Sequence, residues 1–454
     1  MEKSGADIQL ELAIQPIPDG VLEEPKIQSS DLDINQIKRR ENIQFAALCI
    51  PLFLAGYNDG STGPLLPTIQ KSYHVSFTVL SILFGFILGG VLNIWFTDRF
   101  GFGKTLVIGI VGYLGAFGQI IGYTLMIPKP PYPVFVIGFA INGFGLALQD
   151  AQANSFVTTM HGSNAKMNFL HGIYGCGALI APLISTQFSK FNNWSLYYCT
   201  SLGLSVMTFC VLSIVFRFQR QEVLLVQNGH LQASHSEGDG NASKERNTFK
   251  QVLSLKAVHL LAIYLLVYVG VEVTLGGWIV TFIIDKRGGG HSSGYISAGF
   301  FGGLTCGRMV LHYINRFISE KNMVFVYAAL CIALEITIWL VPSLVGNSIS
   351  VSFIGFFLGP LYPTAMNLAG EIIPQKLLPG SIGWMAACGV AGSALLPVIT
   401  GALANRFGII SLQPFLMVDM ILMLGLWGLL RFMGRSQNDQ KMPPIPPTVP
   451  EKTE

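Results

Sequence analysis

The chain has 454 residues, of which 51% are hydrophobic and only 12% charged, and its mean hydropathy is +0.52. A soluble chain carries about 25% charged residues, so this composition cannot coat a water-soluble globule of its size. A net charge of +3, dispersed along the chain, excludes a nucleic-acid binder.

The length accommodates twelve spans, since about 20 residues each require about 240. Fifty glycines suit closely packed membrane helices better than a soluble core. The expected class is an all-α membrane protein of twelve transmembrane helices.

In chain order, residues 1–42 read as a disordered polar tail. No basic stretch there leads into an apolar one, so the first span is expected to act as the targeting signal. Apolar runs of spanning length then start near Ile43, Phe77, Thr105, Pro133, Asn168 and Leu196, giving a first bundle over 43–218. Residues 219–249, with QNGH, HSEGDG and NASKERN, are too polar to bury a core and read as a linker. Six more runs start near Ala257, Ser293, Met323, Ile349, Gly380 and Ser411, giving a second bundle over 250–433. Residues 434–454 end in PPIPPTVP, a polyproline-type tail.

Charge sets the orientation. With the N-terminus inside, 18 lysines and arginines flank the spans on the inner side. The outer side carries six: Lys71, Lys129, Lys190, Lys286, Arg287 and Arg406. Both termini and the linker are therefore expected in the cytoplasm.

The halves also read as copies. A shift of 215 residues carries Gly177 and Pro182 onto Gly392 and Pro397, and similar shifts carry Gly56 to Gly270 and Gly90 to Gly307. Two six-helix bundles related by an axis along the membrane normal, with a site between them at mid-membrane, is the expected architecture.

A carboxylate at mid-membrane costs about 2.5–3.5 kcal/mol on insertion scales, so each one there needs a reason. Asp59 lies in AGYNDGSTGPLLP, beside Asn58, in a span loosened by glycines and Pro64. Asp150 and Asn154 lie one turn apart in LQDAQANSFVTT, with Gln149 and Gln152 adjacent. Four polar side chains within six residues are expected to line an aqueous cleft rather than face lipid. At 1.5 Å per residue, Asp59 sits about 24 Å and Asp150 about 12 Å above the inner ends of their spans. A proton relayed between two depths is expected, not a shared-proton pair.

These residues resemble the major facilitator superfamily, and within it the fucose–galactose–glucose:proton symporter branch. Members are similar in carrying an Asn-Asp pair in the first span, here Asn58-Asp59. They also carry an acid four residues before Asn-x-Phe-Val-Thr in the fourth, here Asp150 before Asn154. The fifth-span stretch NFLHGIYGCGALIAPL is similar too. The resemblance implies proton coupling and sugar binding by Asp59 and Asp150. This chain departs in using Asp where the fourth-span acid is more usually Glu. NIWFTDRFGFGK resembles the superfamily's cytoplasmic latch at Asp98, Arg99 and Gly101, with Lys104 one position late.

Further candidates come from single positions. Glu272, matching Asn58 in the second half, is a candidate third coupling acid. His171 and Tyr174, one turn apart, and Trp278, Trp384, Asn367 and Tyr362 are candidates for contact with a ring-shaped solute, alongside Asn58, Gln149 and Asn154. Pro360 and Pro363 mark a kink that reads as a gating hinge. Arg308 is expected to pair with an acid or extend to the interface. Glu335 and Asp419 are expected to find structural partners.

The seven cysteines lie inside apolar runs, without a CxxC or a Cys/His cluster, so neither disulfide framework nor metal site is expected. No phosphate-binding loop or nucleophile–His–acid set occurs, and no enzyme is expected. The expected function is secondary transport of a small polar, sugar-like solute, coupled to protons by alternating access. The alternatives are a proton-driven exporter of a hydrophobic metabolite or drug, and a non-transporting membrane sensor. Expected partners are the solute, protons and the lipid bilayer, with no cofactor and no nucleic acid. A monomer in the plasma membrane is expected, an internal membrane being the other location.

Overall fold

A backbone inside a bilayer must satisfy its own N–H and C=O groups, and a helix does so within one segment. The computed structural model describes residues 34–75, 108–158, 160–217, 224, 251–315, 319–374 and 377–441. Its helices are α1 (Ile34–Tyr73), α2 (Ile108–Met126), α3 (Tyr132–Thr158), α4 (Ser163–Phe188), α5 (Tyr197–Phe216) and α6 (Lys256–Arg287). They continue with α7 (Gly294–Asn315), α8 (Glu320–Leu340), α9 (Leu344–Leu358), α10 (Leu361–Ile372), α11 (Leu378–Phe407) and α12 (Leu412–Lys441). No strand occurs among the described residues. Eight stretches among them, from Tyr132–Asn154 to Ile409–Phe432, are long and apolar enough to cross a membrane. The span expected near Phe77 and the latch residues Asp98, Arg99, Gly101 and Lys104 lie outside the described residues, as does the linker apart from Leu224.

The two halves repeat one packing device. In the first, α1 lies against α4: a Cβ added at Gly56 would meet the Tyr174 carbonyl carbon at 2.8 Å, and one at Gly177 would meet Tyr57 N at 2.9 Å. In the second, α6 lies against α11: a Cβ at Gly270 would meet Gly392 O at 3.1 Å, and one at Gly392 would meet the Leu266 carbonyl carbon at 2.7 Å. Backbones this close require glycine at the crossing. The same four positions carry the sequence repeat, so the internal symmetry is a symmetry of helix contacts.

Helix ends depart from the expected boundaries. α1 is already helical from Ile34, ahead of the expected Ile43, and Glu41, 2% exposed, ties this part of it down. Glu41 accepts the His161 backbone N–H at 2.6 Å and pairs with Lys166 at 3.2 Å. α12 runs on to Lys441, past the expected bundle end at Met433. Hydropathy marks where the apolar run stops, whereas a helix continues as long as its own bonds hold.

The tenth span is broken as its prolines require. α9 ends at Leu358, Gly359 and Pro360 form the break, and α10 starts at Leu361. Pro363 sits in the first turn of α10, where a backbone N–H has no partner to lose.

The halves meet along α4 with α7 and α1 with α6, and α3 touches α11. A Cβ at Gly63 would lie 2.5 Å from Gly276 O and 3.1 Å from Ser297 Oγ. Farther along, a Cβ at Gly294 would lie 3.0 Å from Pro64 Cβ, and the Gln187 amide donates to the Tyr295 hydroxyl. That end of the interface is closed.

Candidate functional site

Where the halves face each other, α1, α3, α4, α6, α7 and α10 bring charged and polar groups together in an otherwise apolar interior. Asp59 on α1 is half-buried. Its Oδ2 accepts from Tyr174 Oη of α4 at 2.7 Å, and its Oδ1 accepts from Asn58 Nδ2 at 3.5 Å. The α1–α4 glycine contact is what places this tyrosine, since Tyr174 is the residue against which Gly56 packs.

Asp150 on α3 is also half-buried. Asn154, one turn on, donates to its Oδ1 at 3.1 Å and to its carbonyl at 3.0 Å. The two acids share no hydrogen bond among the described residues, yet Asp59 lies in the electrostatic field of both Asp150 and Glu272.

The second half contributes an ion pair. Arg308 Nη2 on α7 reaches both carboxylate oxygens of Glu272 on α6 at 3.3 Å, with side chains 11% and 5% exposed. The break after α9 places Tyr362 beside them: its ring lies 5.5 Å from His171 and 6.0 Å from Tyr268. Tyr268 Oη donates to Leu358 O at 3.2 Å, at the end of α9. Arg308, expected either to pair or to extend to an interface, is thus an interior cation with an acid partner.

Several expected contact residues stand elsewhere. Trp278 is 1% exposed, and its indole N–H donates to Pro397 O at 3.1 Å, so it fills the α6–α11 core. Asn367 is exposed and donates to Glu320 Oε2 at 3.4 Å, at the first residue of α8. Trp384 packs edge-on against His259 at 6.3 Å. His259 precedes Glu272 by 13 residues of α6, about 20 Å along the axis. Gln149 is turned toward α2, where a Cβ at Gly115 would meet its Cγ at 2.8 Å. It follows Gly145 by one turn, and that glycine face packs on α2, which leaves Asp150 to face the cleft.

Asn58 is buried: its Oδ1 accepts from Asn142 Nδ2 at 2.9 Å and from Tyr123 Oη at 3.3 Å. It therefore ties α1 to α2 and α3 behind Asp59 rather than facing the cleft. Glu335 and Asp419 do not find the partners expected of them. Glu335 is fully buried on the face of α8 that carries Val324, Ala328 and Cys331 into the core, and neither carboxylate oxygen has a hydrogen-bond partner among the described residues. Asp419 Oδ2 is likewise without one.

Three site residues escaped the sequence reading: Tyr123, Asn142 and Tyr268. Asn142 is a polar residue in an apolar run, and Tyr268 precedes Glu272 by one turn, so both had a signal in the spacing. Tyr123 had none. Among the described residues no cluster of His, Cys, Asp and Glu could hold a metal ion.

Comparison with known proteins bears on the family and the fold. The family profile described as Major Facilitator Superfamily matches residues 48–354. The Saccharomyces cerevisiae protein named Bypass of stop codon protein 6 is 26% identical over 396 residues, covering 81% of this chain and 78% of that one. The Bacillus subtilis glucose/mannose transporter GlcP is 23% identical over 386 residues, covering 82% of this chain and 91% of its own. Among solved structures, the fucose:proton symporter FucP of E. coli superposes with a TM-score of 0.57 at 18% identity, over 86% of this chain and 99% of its own. At that identity the likeness establishes the twelve-helix architecture.

Proposed function

Since the chain belongs to the major facilitator superfamily, and is thus a multi-pass membrane transporter rather than an enzyme, we propose that it moves a sugar-like solute together with protons. The observation that carries this reading is the placement of two half-buried carboxyls, Asp59 and Asp150, each with its own hydrogen-bond donor, in the interface between the halves. A carboxyl there changes its interaction with the surroundings when water reaches it, which links proton binding to the side that is open. Proton and solute together neutralise and fill the cleft, and the halves rock about it. The solute moves this equilibrium only by binding the two states differently.

Sugar as the solute is supported by the relative named a glucose/mannose transporter, and proton coupling by the symporter that shares the fold. Donor and acceptor groups from Asn154, Tyr174, His171 and Tyr362 suit a polyhydroxyl solute, with the last two rings forming a wall. Protons enter at Asp59 and Asp150. The Gly359–Pro360 break serves as the hinge, and the latch around Asp98, Arg99, Gly101 and Lys104 closes the cytoplasmic side. The protein works as a monomer in the plasma membrane, with both termini in the cytoplasm.

The test is uptake of a panel of radiolabelled monosaccharides by proteoliposomes under an imposed pH gradient, outside acidic. Accumulation above equilibrium in the wild type, with exchange but no accumulation in Asp150→Asn, supports the reading. Unimpaired accumulation in Asp150→Asn removes that residue from coupling.

A further inference from the structure

The ion pair between Glu272 and Arg308 has no task in the transport scheme so far. A guanidinium offers five N–H bonds, and here Nη2 alone serves Glu272. Nε and Nη1 are buried without an acceptor among the described residues. An interior cation so incompletely supplied takes a further acceptor readily, because each unmet N–H carries its full desolvation cost.

The groups around the pair come from four other helices as well as α6. On α6 itself Tyr268 stands in the field of both partners. From α4, His171 and Tyr174 stand in the field of Arg308. From α10, Tyr362 stands in the field of Arg308, Glu272 and Asp150. From α1, Asp59 stands in the field of Glu272, with Asp150 of α3 behind it. Tyr174 is the residue common to both groups: it donates to Asp59 and stands in the field of Arg308.

We infer that Glu272 is a positioning residue that holds Arg308 away from Asp59, leaving Asp59 free to exchange its proton. Without the Glu272 charge, Arg308 keeps its unmet N–H groups, and Tyr174, which stands in its field, already holds the Asp59 carboxyl. An Arg308–Asp59 pair takes Asp59 out of proton exchange and ties α1 of one half to α7 of the other. Glu272, expected from its position to be a third proton carrier, instead keeps the true carrier available. This rests on the assignment of Asp59 to proton coupling.

The test compares wild type, Glu272→Gln, Glu272→Asp and the double variant Glu272→Gln/Arg308→Gln, each full-length in liposomes, with two readouts. One is the infrared C=O band of the protonated Asp59 carboxyl, assigned by its loss in Asp59→Asn and followed against pH. The other is the pH dependence of solute uptake. The band titrates in the wild type and in Glu272→Asp, is lost in Glu272→Gln, and returns in the double variant; the uptake profile follows the same order, with at least a tenfold loss in Glu272→Gln.

A band that titrates unchanged in Glu272→Gln overturns the inference. So does a double variant no better than the single one, which marks the pair as merely structural. A wild type that shows the band but moves no solute under a pH gradient sinks the transport reading and leaves the positioning role intact.

Discussion

Tyr174 and Asp59 are joined by a 2.7 Å hydrogen bond across the seam between α4 and α1, at the point where Gly56 lets the two backbones touch. Packing and chemistry meet in this contact: the glycine that brings the helices together also delivers the hydroxyl to the carboxyl. Tyr174→Phe removes the donor and leaves the ring. A hydrogen bond to a charged group contributes about 1.5–3 kcal/mol, so gradient-driven accumulation is expected to fall about tenfold or more. Solute exchange at equal pH is expected to fall much less. Parallel assays of the two modes in proteoliposomes check this, and an equal loss in both leaves Tyr174 with solute binding alone and no part in coupling.

The glycine seams predict a matched pair of stability effects. Gly177→Val and Gly392→Val each drive a side chain into backbone of the neighbouring helix and are expected to cost about 3 kcal/mol or more. Gly203→Ala meets nothing within 4 Å and is expected to be neutral. Thermal unfolding followed by fluorescence-detected size exclusion reads all three. A harmless Gly392→Val contradicts the equivalence of the two halves.

The closed end of the interface predicts a lock. Gln187 and Tyr295 meet across α4 and α7. Cysteines placed at both positions, with the exposed Cys199, Cys210 and Cys306 changed to serine, are expected to cross-link with a short cleavable reagent. Transport is expected to stop on cross-linking and to resume on cleavage. Full activity in the cross-linked protein shows that this end does not open.

Glu335 predicts a gain. Both its carboxylate oxygens are buried without a partner among the described residues, and an unmet buried polar group costs about 1–3 kcal/mol. Glu335→Met, similar in shape, is expected to raise the unfolding temperature without changing transport. A loss of proton-driven transport in that variant makes Glu335 part of the coupling path.

The architecture was legible in the sequence because a bilayer leaves few choices: apolar runs of spanning length become helices, and the repeat of Gly56 and Gly177 at Gly270 and Gly392 carries the contact pattern itself. The acids were legible for the same reason, since Asp59 and Asp150 stand out against apolar surroundings. The orientation of single side chains was not. Gln149 and Asp150 are neighbours, yet a 100° turn sends one to α2 and the other to the cleft, and only the glycine face of α3 decides which. Trp278 reads as a stacking platform until Pro397 O is found against its N–H. The Arg308–Glu272 pair joins positions 36 residues apart on two helices, a contact fixed by how those helices pack rather than by local spacing.

The most direct measurement is proton movement itself, recorded with a pH-sensitive dye inside proteoliposomes when sugar is added to an unbuffered medium. Sugar is expected to drive protons inward in the wild type and to drive none in Asp59→Asn or Asp150→Asn. Sugar entry in the wild type without proton movement contradicts the account.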